Sequence, residues 1–136
     1  MLQSIRVADY MAVKLVTLSP ATSIDEAIRL FLEHGISGAP VLQDGRLVGV
    51  FSESDCLKDV LHAGYHNMSS GLVGDFMSAD IESISPEESI ITAAELFLNH
   101  KRRRLPVVDA AGLLVGQISR RDVLRAIDDF SRKRAP

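Results

Sequence analysis

A chain of 136 residues, 46% apolar and 24% charged, is sized for one compact domain and has the make-up of a soluble globular protein. Its formal net charge of −3 argues against a general binder of nucleic acid or of anionic membranes. A single cysteine, Cys56, excludes an internal disulfide, and no Cys/His cluster has zinc spacing.

No basic stretch followed by an apolar run opens the chain, and no apolar run approaches the ~20 residues of a membrane helix. The expectation is a reducing, cytoplasmic setting. With no Trp and 5% aromatic residues, the core must be aliphatic.

Taken in chain order, Lys14-Leu15-Val16-Thr17-Leu18 predicts a short strand stopped by Ser19-Pro20. Ser23-Ile24-Asp25-Glu26 has the form of a capping box. Ile24, Ala27, Ile28, Phe31 and Leu32 follow at helical spacing, up to Gly35. Ala39-Pro40-Val41-Leu42 and Leu47-Val48-Gly49-Val50-Phe51 predict a hairpin around Gln43-Asp44-Gly45. A second helix is expected from near Ser52 to Gly64, followed by a turn-rich connector over 65–72.

The same series then returns. Val7-Ala8-Asp9-Tyr10-Met11 reappears as Val73-Gly74-Asp75-Phe76-Met77, Ser19-Pro20 as Ser85-Pro86, and Pro40-Val41 as Pro106-Val107, all 66 residues on. One inserted residue makes the offset 67, so that Gly49 to Asp55 pairs with Gly116 to Asp122. Such a repeat is a fold-level signal. It predicts a mixed α/β (α+β) fold of two strand-helix-strand-strand-helix units sharing a core: residues 3–64, a connector over 65–72, residues 73–128 and a basic, frayed tail over 129–136.

The order Val-x-Asp-(Tyr/Phe)-Met, Ser-Pro, amphipathic helix, Pro-Val and Gly-x-x-Ser-x-x-Asp, carried twice, resembles a CBS domain, and two in tandem resemble a free-standing Bateman module. The resemblance spans residues 3–128. It implies two units packed with pseudo-twofold symmetry, two clefts, and a role in sensing adenosine-containing ligands.

Ser52-x-x-Asp55 and Ser119-x-x-Asp122 are first of all helix caps, because S-x-x-D before an apolar run satisfies opening N–H groups. A helix N-terminus also attracts phosphate, and a carboxylate can accept both hydroxyls of a ribose. The resemblance implies that the serine faces phosphate and the aspartate holds ribose. Gly49 and Gly116 are expected to leave room for close backbone approach.

Lys101-Arg102-Arg103-Arg104 is either a solvated helix end or, by the resemblance, a cleft wall where arginines fork around phosphate. The favoured second cleft thus comprises Arg103, Arg104, Ser119, Arg121 and Asp122. The first offers Ser37, Gly38, Ser52, Ser54 and Asp55, with no arginine. Val13, Leu15, Ala79 and Ile81 are candidate purine walls, although strand alternation places them in the core. His34 and His100 suit helix C-terminal dipoles. His62 and His66 flank the connector without a partner pattern, and Cys56 belongs in the core.

No Walker A, G-x-S-x-G or H-E-x-x-H motif is present, so no enzyme, required cofactor or metal is expected. The reading is a regulatory module binding AMP, ADP or ATP and acting on an unknown protein effector through conformational change, as a homodimer, without nucleic acid or membrane. The alternative is a structural or oligomerisation module with vestigial clefts.

Overall fold

The computed structural model describes residues 1–66 and 71–134. The elements are α1 (Ile24–His34), β1 (Gly38–Gln43), β2 (Arg46–Ser52), α2 (Glu53–His66), the single turn α3 (Val73–Phe76), α4 (Ile90–His100), β3 (Arg104–Val108), β4 (Leu114–Ser119) and α5 (Arg120–Arg134), with 3-10 turns at Leu2–Ser4 and Val7–Asp9. Both sheets are antiparallel pairs, β1 with β2 and β3 with β4, each with a register shift, after Val41 and after Val107. The mixed helix and strand class expected from the repeat is the one observed.

Local chemistry sets the helix ends. The hydroxyl oxygen of Ser23 accepts from Glu26 N–H at 3.1 Å, and that of Ser89 from Thr92 N–H at 3.2 Å, each satisfying an orphan donor of the first turn. Gly35 closes α1 with φ +62°, whereas Lys101 closes α4 in the same left-handed conformation, φ +53°. A side chain there costs roughly 1 kcal/mol that glycine does not.

The chain forms two compact units that cut across the sequence repeats: Val16–Ile81, and Met1–Leu15 together with Glu82–Pro136. The opening segment of each repeat is therefore an arm on the other repeat's hairpin. In the second unit, Ala12 N–H donates to Gln117 O (2.8 Å) and Gln117 N–H to Ala12 O (2.9 Å). In the first, Val50 and Ser78 exchange the same two bonds at 2.9 Å each. Val7 is fully buried in the cluster of Ile90, Phe97, Leu105, Val107 and Ile118, and Val73 in that of Ile24, Phe31, Val41 and Phe51. The Val-x-Asp signature is now explained: the valine plugs the core, and the aspartate caps the turn by accepting from Arg6 N–H or Leu72 N–H at 3.0 Å.

The expected strand at 14–18 reduces to one parallel bridge. Leu18 N–H donates to Pro40 O and Leu18 O accepts from Leu42 N–H, and Ile84 repeats this with Pro106 and Val108. The chain crosses from one unit to the other between Leu15 and Val16, so the residues before Leu18 do not continue this ladder. The helix expected to end at Gly64 runs to His66; of the rest of the expected connector, residues 67–70 lie outside the described residues and Leu72 bridges to Ser23.

The expected frayed tail is largely helical, α5 continuing to Arg134. An Arg132–Asp128 pair at 2.9 Å and a Tyr10 hydroxyl donating to Asp129 at 2.7 Å hold that stretch. Residues 135–136 lie outside the described residues. No helix among the described residues is long and apolar enough to cross a membrane.

Candidate functional site

The β3–β4 hairpin, the end of α4 and the start of α5 converge on a pocket of about 510 Å³ lined by Lys101, Arg103, Arg104, Ser119, Arg120 and Arg121. Strand pairing sets Arg104 opposite Ser119. Arg120 is the fixed member: its Nε donates to Arg102 O at 2.7 Å and its Nη2 to Phe97 O at 3.0 Å. Among the described residues, the side chains of Lys101, Arg103, Arg104 and Arg121 have no hydrogen-bond or ion-pair partner. Five cations with no carboxylate in the lining repel one another, and an anion would relieve that repulsion.

Arg103, Arg104, Ser119 and Arg121 come together, and Lys101 and Arg120 join them. Arg102 does not: it forms an ion pair with Glu82 at 3.5 Å. His100 also pairs with Glu82, so the histidine expected to serve the helix dipole has a carboxylate partner as well.

Asp122 is not among the lining residues. Its Oδ2 accepts from Ser119 N–H at 2.8 Å, Asp122 N–H donates to Ser119 Oγ at 3.2 Å, and its Oδ1 accepts from Arg125 Nη2 at 2.8 Å. The reciprocal Ser–Asp bonds are a capping box. Its carboxylate side chain keeps 15% of its surface exposed.

In the first repeat, Ser52 N–H and Ser52 Oγ–H both donate to Asp55 Oδ2, at 2.9 and 3.1 Å, and Lys58 lies 3.6 Å from Oδ1. Gly38 stands opposite Ser52. The positions equivalent to the five lining cations hold Gly35, Ser37, Gly38, Glu53 and Ser54. A Cβ added at Gly38 would stand 3.2 Å from Phe51 O, so that backbone passes close to its partner strand.

Two expectations are corrected. Gly49 and Gly116 do admit a close approach, but the arms make it: a Cβ at Gly116 would meet Met11 Sδ at 2.6 Å and Ala12 O at 2.9 Å, and one at Gly49 would meet Met77 Sδ at 2.7 Å and Ser78 O at 3.0 Å. Val13, Leu15, Ala79 and Ile81 belong to neither core cluster. Val13 is 68% exposed, Ala79 is exposed, and Leu15 and Ile81 are half-buried.

Sequence reasoning missed Arg125, although its spacing of three from Asp122 on a helix was a usable signal. Its guanidinium lies 5.7 Å from the centre of the Tyr10 ring, and the bond to Asp129 holds the Tyr10 phenol above its usual pKa. Cys56 is buried as expected. Burial, with Asp55 and Asp59 nearby, pushes its thiol pKa up.

A family model described as "CBS domain" matches residues 7–62 and 73–129. An inosine-5'-monophosphate dehydrogenase of Korarchaeum cryptofilum is 34% identical over 87% of this chain, and the chloroplastic CBS domain-containing protein CBSX1 of Arabidopsis thaliana is 32% identical over 93%. The chain spans 23% of the first and 65% of the second, less than two thirds of either. Among solved structures, CBSX2 of Arabidopsis thaliana in complex with AMP superposes with a TM-score of 0.83 at 36% identity, covering 94% of this chain and 99% of that one.

Proposed function

We propose that this chain, which belongs to the CBS domain family, is a regulatory module that binds an adenine nucleotide (AMP, ADP or ATP). One observation carries the reading: five cations around Ser119 with no acid among them, four of them unpartnered among the described residues. Arginine forks suit phosphate oxygens, and the N-terminus of α5 adds a favourable dipole. The AMP complex of CBSX2, similar over nearly the whole chain, supports an adenosine-containing ligand.

In this proposal Arg103, Arg104 and Arg121 hold phosphate beside Ser119, and Asp122 accepts ribose hydroxyls. The base rests against Val13 and Leu15, which follow in sequence the Ala12 that bridges to Gln117 of β4. Ser37, Gly38, Ser52, Ser54 and Asp55, with Ala79 and Ile81, form a weaker site suited to neutral ligands. Output to a protein effector requires the ligand to favour one of two conformations, typically by about 1–3 kcal/mol. A homodimer in a cytoplasmic setting belongs to the same proposal, the exposed Leu57, Leu61, Leu124 and Ile127 supplying the apolar surface.

Calorimetric titration with adenosine, AMP, ADP and ATP tests the reading. Phosphorylated ligands should bind and raise the melting temperature by mass action. An unchanged melting curve with all four would favour the alternative of a structural module.

A further inference from the structure

We infer that Arg125 is a positioning residue that holds the Asp122 carboxylate ready for a vicinal diol, and that this sets the second repeat apart from the first. The inference rests on the ribose reading of Asp122. Each carboxylate oxygen has two lone-pair sites. At Asp122 the Ser119 amide takes one site on Oδ2, and Arg125 Nη2 takes one on Oδ1. The carboxylate is thereby fixed at both ends, and each oxygen keeps one site, the arrangement that two adjacent hydroxyls need.

Arg125 is itself held. The second N–H of Nη2 donates to Tyr10 O at 3.2 Å, and the guanidinium lies over the Tyr10 ring. The first repeat lacks each of these features. The equivalent residues are Lys58, 3.6 Å from Asp55 Oδ1, and Phe76, which packs edge-on with His62. Ser52 N–H and Ser52 Oγ–H both occupy Asp55 Oδ2, which fills the sites of that oxygen. A diol would there have to displace a cap bond. Pre-orientation lowers the cost of binding, and a lysine ammonium does not reproduce the planar fork of arginine.

The test compares ATP with 2′,3′-dideoxy-ATP in calorimetric titrations of wild type, Arg125→Gln, Arg125→Lys and Asp122→Ala. Wild type should prefer ATP by about tenfold or more, the range for hydrogen bonds to a charged group. Arg125→Gln should erase most of that preference while leaving dideoxy-ATP affinity unchanged. Arg125→Lys, which installs the first repeat's residue, should restore only part of it.

A full preference retained in both Arg125 variants overturns the inference, as does an equal loss for the two ligands, the mark of a merely structural role. Asp122→Ala separates the two levels. If it abolishes the preference while the Arg125 variants keep it, only the positioning role falls. If it keeps the preference, the ribose reading falls first and the inference with it.

Discussion

Arg104 and Ser119 are direct partners across the β3–β4 ladder, the place that Gly38 and Ser52 hold in the other unit. A cation is thus fixed by strand register beside the N-cap of α5. Arg104→Ala should weaken ATP and AMP binding by about 1.5–3 kcal/mol and adenosine binding by little. A normal AMP isotherm for this variant would remove phosphate from the pocket. The reverse graft, Gly38→Arg, should lower the melting temperature of the protein, because its Cβ would crowd Phe51 O.

Gly116→Ala and Gly49→Ala should each destabilise the fold by about 1–3 kcal/mol, the usual cost of overpacking. The new methyl meets a methionine sulfur, which can move, and a backbone carbonyl, which cannot. Pairing Gly116→Ala with Met11→Ala should therefore recover only part of the loss. Urea denaturation of both single variants and the double variant gives the answer, and complete recovery would contradict the geometry.

Asp122→Ala and Asp55→Ala should differ in consequence. Each removes the acceptor for a serine amide at the start of a helix, worth about 1 kcal/mol. Asp55 also accepts the Ser52 hydroxyl and is the more buried, so its loss should lower the melting temperature further. Equal shifts in the two variants would speak against this ranking.

Cys56 should be slow to alkylate in the native protein and fast in urea. Its thiol pKa is raised on folding, so the folded state holds its proton to higher pH than the unfolded chain does. The thiol's contribution is fully present below the ordinary thiol pKa of roughly 8.5 and is lost as pH rises through the folded value. Cys56→Ser should flatten that part of the pH–stability profile, measured by denaturant midpoints between pH 7 and 10.

Self-association should depend on α2 and α5. Leu57→Asp with Leu124→Asp should give a monomer in sedimentation at concentrations where wild type is a dimer, since an apolar face and isologous pairing suit each other. A monomer mass for wild type at every concentration would exclude the dimer.

Helices, hairpins and caps were legible because each is written in local spacing: the apolar rows of α1 and α4, the Asp44-Gly45 turn, and Ser at the N-caps of α1 and α4. The basic pocket was half legible. Arg103 and Arg104 announced themselves as a run, whereas Lys101 and Arg120 join them only because α4 ends where α5 begins. The exchange of arms was not legible at all. A spacing of 66 says that Val7 and Val73 are equivalent, and a valine satisfies its own repeat's core or the other's with the same periodicity. One signal was present, since Gly49 and Gly116 hold equivalent places in the two repeats, as Met11 and Met77 do, but in sequence a glycine that admits a ligand looks the same as one that admits a sulfur.

That exchange has a consequence for what a single repeat would be. Its hairpin has an open edge where Ala12 or Ser78 would pair, and its core has a gap the size of the absent valine. An arm from another copy could fill both, and two such copies would trade arms reciprocally, as domain-swapped partners do. The tandem chain carries out the trade within one molecule, at the effective concentration a covalent link sets rather than at that of protein in solution. Dilution cannot undo it, and damage to one arm is felt in the core of the repeat that does not contain it.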